Sequence, residues 1–366
     1  MLIIDSHCDT PSQIMRLRNL SLDNEKGHVD FPKLIRGDIG AAFFALYTPA
    51  ETSESLATGY AMEMLAGVYD TVKENEAIAA MAFSPEDIIK NREKGLISIL
   101  IGMENGSPIR KSLPLLRLFH RLGVRYMTLT HNADNEIGDS AAEGRRWHGL
   151  SPFGLDVVSE MNRLGMIIDV AHCSDETFFD CIKYSSAPVV STHSCCRALA
   201  SHRRNMSDEM IRAMADKGGV IQINFYPLFL SDAFGQEFKA WEKQNPQAEK
   251  IEKAFIDDPA DKAKRAAWER TAGSLASLKR PGVKEVVDHI EHAIKVGGAD
   301  HVGIGSDFDG IEVTPIGLED ISRISRVFDE MKRRGHSDEI IEKVAGKNFL
   351  RVFSEVCSMK GQVPHE

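Results

Sequence analysis

Residues 166–193 read MIIDVAHCSDETFFDCIKYSSAPVVSTH. Two short apolar runs, 166–172 and 188–193, enclose a short helical stretch, and each run stops at a histidine. Apolar runs alternating with helical segments are the pattern of parallel strands buried on both faces. Working outward, the alternation recurs about eight times, with further runs at 2–9, 39–47, 96–104, 124–131, 219–224 and 301–307. Between them the helical patterns 115–122, 157–165 and 210–218 finish at glycines suited to C-caps, and Ser84-Pro85-Glu86-Asp87 and Ser207-Asp208-Glu209 read as helix starts. Eight strand–helix units point to an α/β chain folded as a (β/α)8 TIM barrel, although an open doubly wound sheet has the same local grammar. The expectation is one domain over 1–366. Its main break in texture, about 228–282, is rich in Lys, Glu, Gln and Ala and lies between Pro227 and Pro281. That segment reads as a helical insertion after strand seven, serving as a lid, an oligomer contact or a solvated excursion.

Composition narrows the class. The 366 residues are 43% hydrophobic and 27% charged, ordinary for a globular enzyme. Against 54 Asp and Glu stand 44 Lys and Arg, a net charge of −10, with no basic block to track a phosphate backbone, so nucleic acid is not an expected partner. No apolar run approaches the ~18 residues that span a bilayer, and no basic leader precedes the first run. The six cysteines, at 8, 173, 181, 195, 196 and 357, form neither CxxC nor a regular framework. Reduced thiols in a cytoplasmic, membrane-free protein are expected.

Metal-binding side chains fall at the ends of most runs, where barrel enzymes place their chemistry. His7 and Asp9, two apart on a strand, share a face and can bind one ion together. Asp5 lies deeper on that face and reads as a buried structural carboxylate, and Cys8 points away. Glu104 ends a run of seven uncharged residues, and its two oxygens can bridge two cations. His172 and His193 offer neutral imidazole, the commonest neutral zinc ligand. The donors sum to His7, Asp9 and Glu104 for one ion, and Glu104, His172 and His193 for a second. This is the stoichiometry of a two-metal hydrolytic site.

Asp307 ends the eighth run above Gly303 and Gly305, which leave space beneath it, and is placed to hold a water rather than a metal. His131 ends the fourth and is free to polarise a carbonyl or hold an oxyanion. Arg203 and Arg204 stand beyond His193, where a guanidinium suits a substrate carboxylate, with a solvated basic turn as the plainer reading. Asp309-Gly310 is too small a fragment for a calcium loop. His148, His289 and His292 lack strand-end context and read as packing or surface residues. HExxH, P-loop, GxSxG and dinucleotide motifs are absent, and Cys195-Cys196 beside His193 is a poor nucleophile pair.

The blocks DSHCDTP (5–11), GMENG (102–106), YMTLTHN (126–132), IIDVAHCS (167–174), STHSCCRALASHRRN (191–205), INFY (223–226) and VGIGSDFDG (302–310) come in one order along the chain. Together they resemble the renal (membrane) dipeptidase family of zinc peptidases, within the metal-dependent hydrolase barrels. The resemblance implies two zinc ions per chain, held by His7 and Asp9, bridged by Glu104 and completed by His172 and His193. It makes His131 the residue that binds substrate and intermediate, Asp307 the water-orienting acid, and Arg204 the grip on the substrate's C-terminal carboxylate. The implied function is hydrolysis of dipeptides, with an L or D second residue, by metal-activated hydroxide. Ala133 and Ala200 stand where mammalian members carry cysteines, which implies a soluble, bacterial-type member, with a homodimer as the assembly to expect. The alternatives are another amide or a β-lactam as substrate at the same metal site, or a non-catalytic barrel stabilised by metal.

Overall fold

The structure, a computed structural model, describes residues 1–142 and 145–361. Nine strands form one all-parallel sheet: β1 Ile3–Cys8, β2 Ile39–Tyr47, β3 Ala79–Met81, β4 Ile97–Glu104, β5 Val124–Thr128, β6 Ile167–Asp169, β7 Val190–Ser194, β8 Val220–Ile223 and β9 Val302–Ile304. Hydrogen-bonded neighbours run β1-β2-β4-β5-β6-β7-β8-β9, with β3 attached outside that path to β4. The ring comes together just past β9, where the Asp9 amide donates to the Phe308 carbonyl at 2.9 Å and the Asp307 amide to the His7 carbonyl at 3.0 Å. Eight strands thus make the near-closed barrel that the alternation implied. The short strand β3 went unread because three residues carry no periodicity.

Burial explains why the pattern was readable. β2 and β4 are buried along nearly their whole length, so both faces must be apolar. A second apolar cluster fills the barrel's lower end. There the helix Asn348–Ser358 presses Phe349 and Phe353 edge-on against Phe43, at 5.2 and 6.2 Å between ring centres. Burying each ring contributes about 2–3 kcal/mol, and together they seal that end. Only the carboxyl ends of the strands remain open. Helix punctuation follows the residue chemistry: the hydroxyls of Ser84 and Ser207 accept the amides of Asp87 and Met210, both at 3.2 Å. Gly123, Gly165 and Gly218 end helices with φ of 101°, 70° and 81°.

The segment expected as an insertion is helical throughout: Pro227–Leu230, Asp232–Gln244, Ala248–Asp257 and Lys262–Ala276, between β8 and the helix Val283–Gly297. Its own small core joins Phe234, Trp241 and Leu275 to Val313 from the loop after β9. This fixes the segment over the barrel mouth.

Candidate active site

The strand ends bring the expected residues together. Glu104 closes β4, and its Oε1 lies 3.0 Å from His172 Nε2, 3.4 Å from His193 Nε2 and 3.8 Å from His131 Nε2. Its Oε2 lies 3.5 Å from His7 Nε2, which is itself 3.5 Å from Asp9 Oδ2. Asp307 completes the group. Three sets of donors sit within 4.8 Å of one another: His7, Glu104 and His193; Glu104, His131 and His172; and His7, Asp9 and Asp307. His131 and Asp307, expected beside the ligands, therefore stand within reach of a cation too.

Strand geometry alone does not aim all of these groups. β6 ends at Asp169 and β9 at Ile304, so His172 and Asp307 lie three residues further on. Both have left the pleat for left-handed backbone, with φ of 66° and 62°, a conformation that costs a non-glycine residue on the order of 1 kcal/mol. Gly303 and Gly305 leave no open space beneath Asp307, contrary to the reading from sequence. A Cβ on the first would lie 1.8 Å from Gln222 Oε1, and on the second 1.7 Å from the Thr192 carbonyl.

Three of the four ring nitrogens that face away from the cluster are held, while His131 Nδ1 is buried without a hydrogen-bond partner. His7 Nδ1 meets the Tyr126 hydroxyl at 2.8 Å, and His172 Nδ1 donates to Asn132 Oδ1 at 3.1 Å. His193 Nδ1 donates to Thr192 Oγ1 at 2.9 Å, because that hydroxyl gives its own proton to Asp169 Oδ2 at 2.6 Å. Asp169 also accepts the Thr128 hydroxyl and the amides of Ala171 and Thr192. Its side chain thereby fastens β5, β6 and β7 where the β6–β7 ladder has a single residue pair.

With Nδ1 protonated on both rings, the Nε2 atoms of His172 and His193 are bare lone pairs 2.9 Å apart. Burial holds both imidazoles well below the usual histidine range, which keeps them neutral. His7 Nε2 and Asp9 Oδ1 are buried without a hydrogen-bond partner. Burial and the Glu104 charge push the Asp9 carboxyl well up, and burial pushes Asp307 up to about 6. Facing lone pairs, orphaned donors and crowded carboxylates are what divalent cations relieve, so the donor set fits a dinuclear centre.

Above the cluster opens a cavity of about 870 Å³. Asp9, Glu104, His131, His172, Arg204 and Asp307 line its floor, with His7 and His193 buried beneath. Arg204 is buried, donating through Nη2 to the His193 carbonyl at 3.3 Å while its guanidinium lies 5.3 Å from the Phe229 ring centre. Arg203 is exposed and is not among the residues lining the cavity. The other readings hold their places: Asp5 binds the Ser306 amide and hydroxyl, Cys8 packs in the core, and His289 joins the Cys196 amide to the Leu230 carbonyl. Asp309 takes Arg18 at 2.6 Å and the Thr10 hydroxyl at 3.0 Å and serves as a structural hub.

The family model membrane dipeptidase (peptidase family M19) matches residues 1–366. The chain belongs to the membrane dipeptidase family. Among its relatives are an uncharacterized dipeptidase of Schizosaccharomyces pombe, 33% identical across 96% of this chain and 80% of its own, and the dipeptidase tcpJ of Claviceps purpurea, 32% identical across 98% and 79%. The crystal structure of the probable dipeptidase PvdM from Pseudomonas aeruginosa superposes with a TM-score of 0.84 at 28% identity, covering 98% of this chain and 96% of that one. This dipeptidase-family barrel is a metal-dependent hydrolase, and its His/Glu cluster can hold two ions. Among its described residues no helix is long and apolar enough to cross a membrane.

Several residues placed at the site of this family member escaped the sequence. Tyr47 and Asn224 sit at strand ends and obey the rule used for the histidines. Tyr47 packs edge-on to His131 at 4.8 Å, and the Asn224 amide donates to Asp307 Oδ2 at 2.8 Å. Asp169 was signalled only as a charge inside an apolar run. Gly310 carries no chemistry of its own, yet a Cβ there would lie 2.0 Å from Asp9 Oδ2 and 2.6 Å from Asp307 Oδ1.

Proposed function

We propose that this chain is a dinuclear zinc dipeptidase, one domain over 1–366 whose insertion at about 228–282 roofs the site. The observation that carries the reading is the Glu104 carboxylate amid four imidazole Nε2 atoms, two of them with lone pairs 2.9 Å apart. In this reading His7 and Asp9 would hold one cation, His172 and His193 the other, and Glu104 would serve both. When bound, two zinc ions supply Lewis acidity that makes a water nucleophilic at neutral pH and polarises the scissile carbonyl.

The remaining work falls to side chains. Arg204 receives the substrate's C-terminal carboxylate: burial leaves its Nε without a partner, and a guanidinium fork matches a carboxylate in two parallel bonds. The free amino group lies toward Asp9. Capture of both ends restricts substrates to dipeptides. Asp307, anchored through Oδ2 by Asn224, takes the proton released as water adds to the carbonyl carbon. Burial raises its carboxyl above the ordinary aspartate range, which makes it a stronger base than an exposed aspartate. The C–N bond breaks, and the amine departs with that proton. His131, kept neutral by burial and wedged between the Tyr47 and His172 rings, donates to the oxygen that gains charge.

Six free cysteines, five of them buried, support a reducing, cytoplasmic setting, and the family resemblance supports a homodimer, to be checked by light scattering. The central test is metal analysis beside hydrolysis of L,L and L,D dipeptides before and after chelation. Expected are about two zinc per chain, chelator-sensitive cleavage, and a fall of ~10²–10⁴ in kcat for Asp307→Asn with metal retained. Full metal content without dipeptide cleavage would redirect the reading to another amide or a lactam.

A further inference from the structure

Beneath the helical cover, the cavity wall carries two acids that the steps above do not employ. Glu312 stands in the loop after β9, and Glu252 hangs from the helix Ala248–Asp257. Glu312 Oε2 is buried and has no hydrogen-bond partner. Neither carboxylate forms an ion pair among the described residues. Burial, then the Glu312 charge, push Glu252 up to about 7, and Arg16 opposes this less strongly. Burial likewise raises Glu312, and the neighbouring side chains that act on it, Tyr226 and Glu242, are not cations. Of the bases lining the cavity, Arg18 and Lys26 are committed to Asp309 at 2.6 Å and Glu269 at 2.7 Å, and Arg16 acts on Glu252 through its charge without forming an ion pair with it.

An aromatic wall leads from the carboxylate grip to this acid pair. The Arg204 guanidinium lies 5.3 Å from Phe229, whose ring meets Tyr226 edge-on at 5.1 Å, and Tyr226 neighbours Glu312. A cavity of about 870 Å³ lies toward the upper end of the ~300–1,000 Å³ usual for small-molecule clefts, and leaves room beyond a dipeptide backbone for a long side chain. Part-buried carboxylates at the end of an apolar passage, one with an oxygen fully shielded from water, are satisfied by a group that brings both positive charge and several N–H donors.

We propose that Glu252 and Glu312 form a subsite for a cationic substrate side chain, an ammonium or guanidinium on a flexible stem. The enzyme then favours dipeptides carrying a lysine- or arginine-type residue over isosteric neutral ones. This deepens the dipeptidase reading and rests on it. The aromatic passage accepts the methylene stem, and the acid pair takes the charged end.

The test measures kcat/KM of the zinc-loaded full chain on Ala-Ala, Lys-Ala, Ala-Lys, norleucine-Ala and Ala-norleucine. Wild type should prefer lysine over norleucine about tenfold or more at one position, chiefly through KM. That ratio should fall toward one in both Glu312→Gln and Glu252→Gln, which sit on separate elements, and should shrink as salt is raised. A wild-type ratio near one at both positions would overturn the subsite, whatever the variants do. So would a high ratio that both variants preserve. Cleavage of Ala-Ala without lysine preference sinks this inference alone, whereas failure to cleave any of the five sinks the dipeptidase reading beneath it.

Discussion

At the barrel mouth most of the candidate site's side chains stand on or just past a strand end, and several lean on a buried partner: His193 on Thr192 and Asp169, His7 on Tyr126, Asp307 on Asn224. The cover reaches the same cavity differently. Phe255, Trp268 and Glu252 project from helices whose local core is Phe234, Trp241, Leu275 and Val313, and the cover meets the N-terminal loop through the exposed pair Lys26–Glu269. The mouth is over-determined and the cover lightly held. Reaction chemistry tolerates little displacement, whereas a wall that only shapes the substrate's surroundings can vary in composition. Substitutions should therefore divide cleanly between turnover and range.

The sharpest way to break that contrast is Glu104→Gln. The amide keeps the shape but removes the charge that would serve both cations in the proposed centre, so turnover should fall about 10³-fold and metal content should drop with it. Steady-state rates and elemental analysis together decide. Near-normal rates with full metal would show the mouth to be as forgiving as the cover.

A pH titration sharpens the comparison where the two regions join. His289 accepts the Cys196 amide at Nδ1 and donates from Nε2 to the carbonyl of Leu230, at the cover's root. Burial lowers it from 6.5 to about 4. Between those values the unfolded chain binds a proton that the folded chain refuses, so stability falls as pH drops from about 6.5 toward 4 and is full above that window. Denaturation at pH 8 and pH 5 should differ by about 2 kcal/mol more in wild type than in His289→Phe. An identical pH slope in both proteins would exclude the histidine as the link. The smallest effect belongs to Lys26→Ala at the cover's outer contact. There the expected loss is under ~0.5 kcal/mol by thermal denaturation, with kcat unchanged.

The same contrast explains what could be read beforehand. Runs such as 96–104 and 188–193 disclose strand ends because double-sided burial forces unbroken apolar stretches, and a polar residue at the end of one then stands out. His7, Asp9, Glu104, His131, His172, His193 and Asp307 were legible for that reason, and the family resemblance singled out Arg204 from Arg203. Tyr47 and Asn224 were legible by the same rule and were missed because neither is a common metal donor. Strand lengths were overread at 166–172 and 301–307, since a left-handed turn at His172 or Asp307 leaves no mark on hydrophobic periodicity. The cover announced its helices but not its task. Glu252 and Glu312 acquire meaning only when the helix Ala248–Asp257 meets the loop after β9, and no local spacing encodes that meeting.

Gly310 bears on how such a protein could be re-engineered. Its missing methyl group is the volume in which the Asp9 and Asp307 carboxylates approach each other. A designer seeking new substrates can rewrite much of the cover. Even alanine at position 310 would wedge two acids apart at the centre of the chemistry. The freedom to evolve therefore lies in the roof, while a position that contributes no side chain at all is among the hardest in the floor to replace.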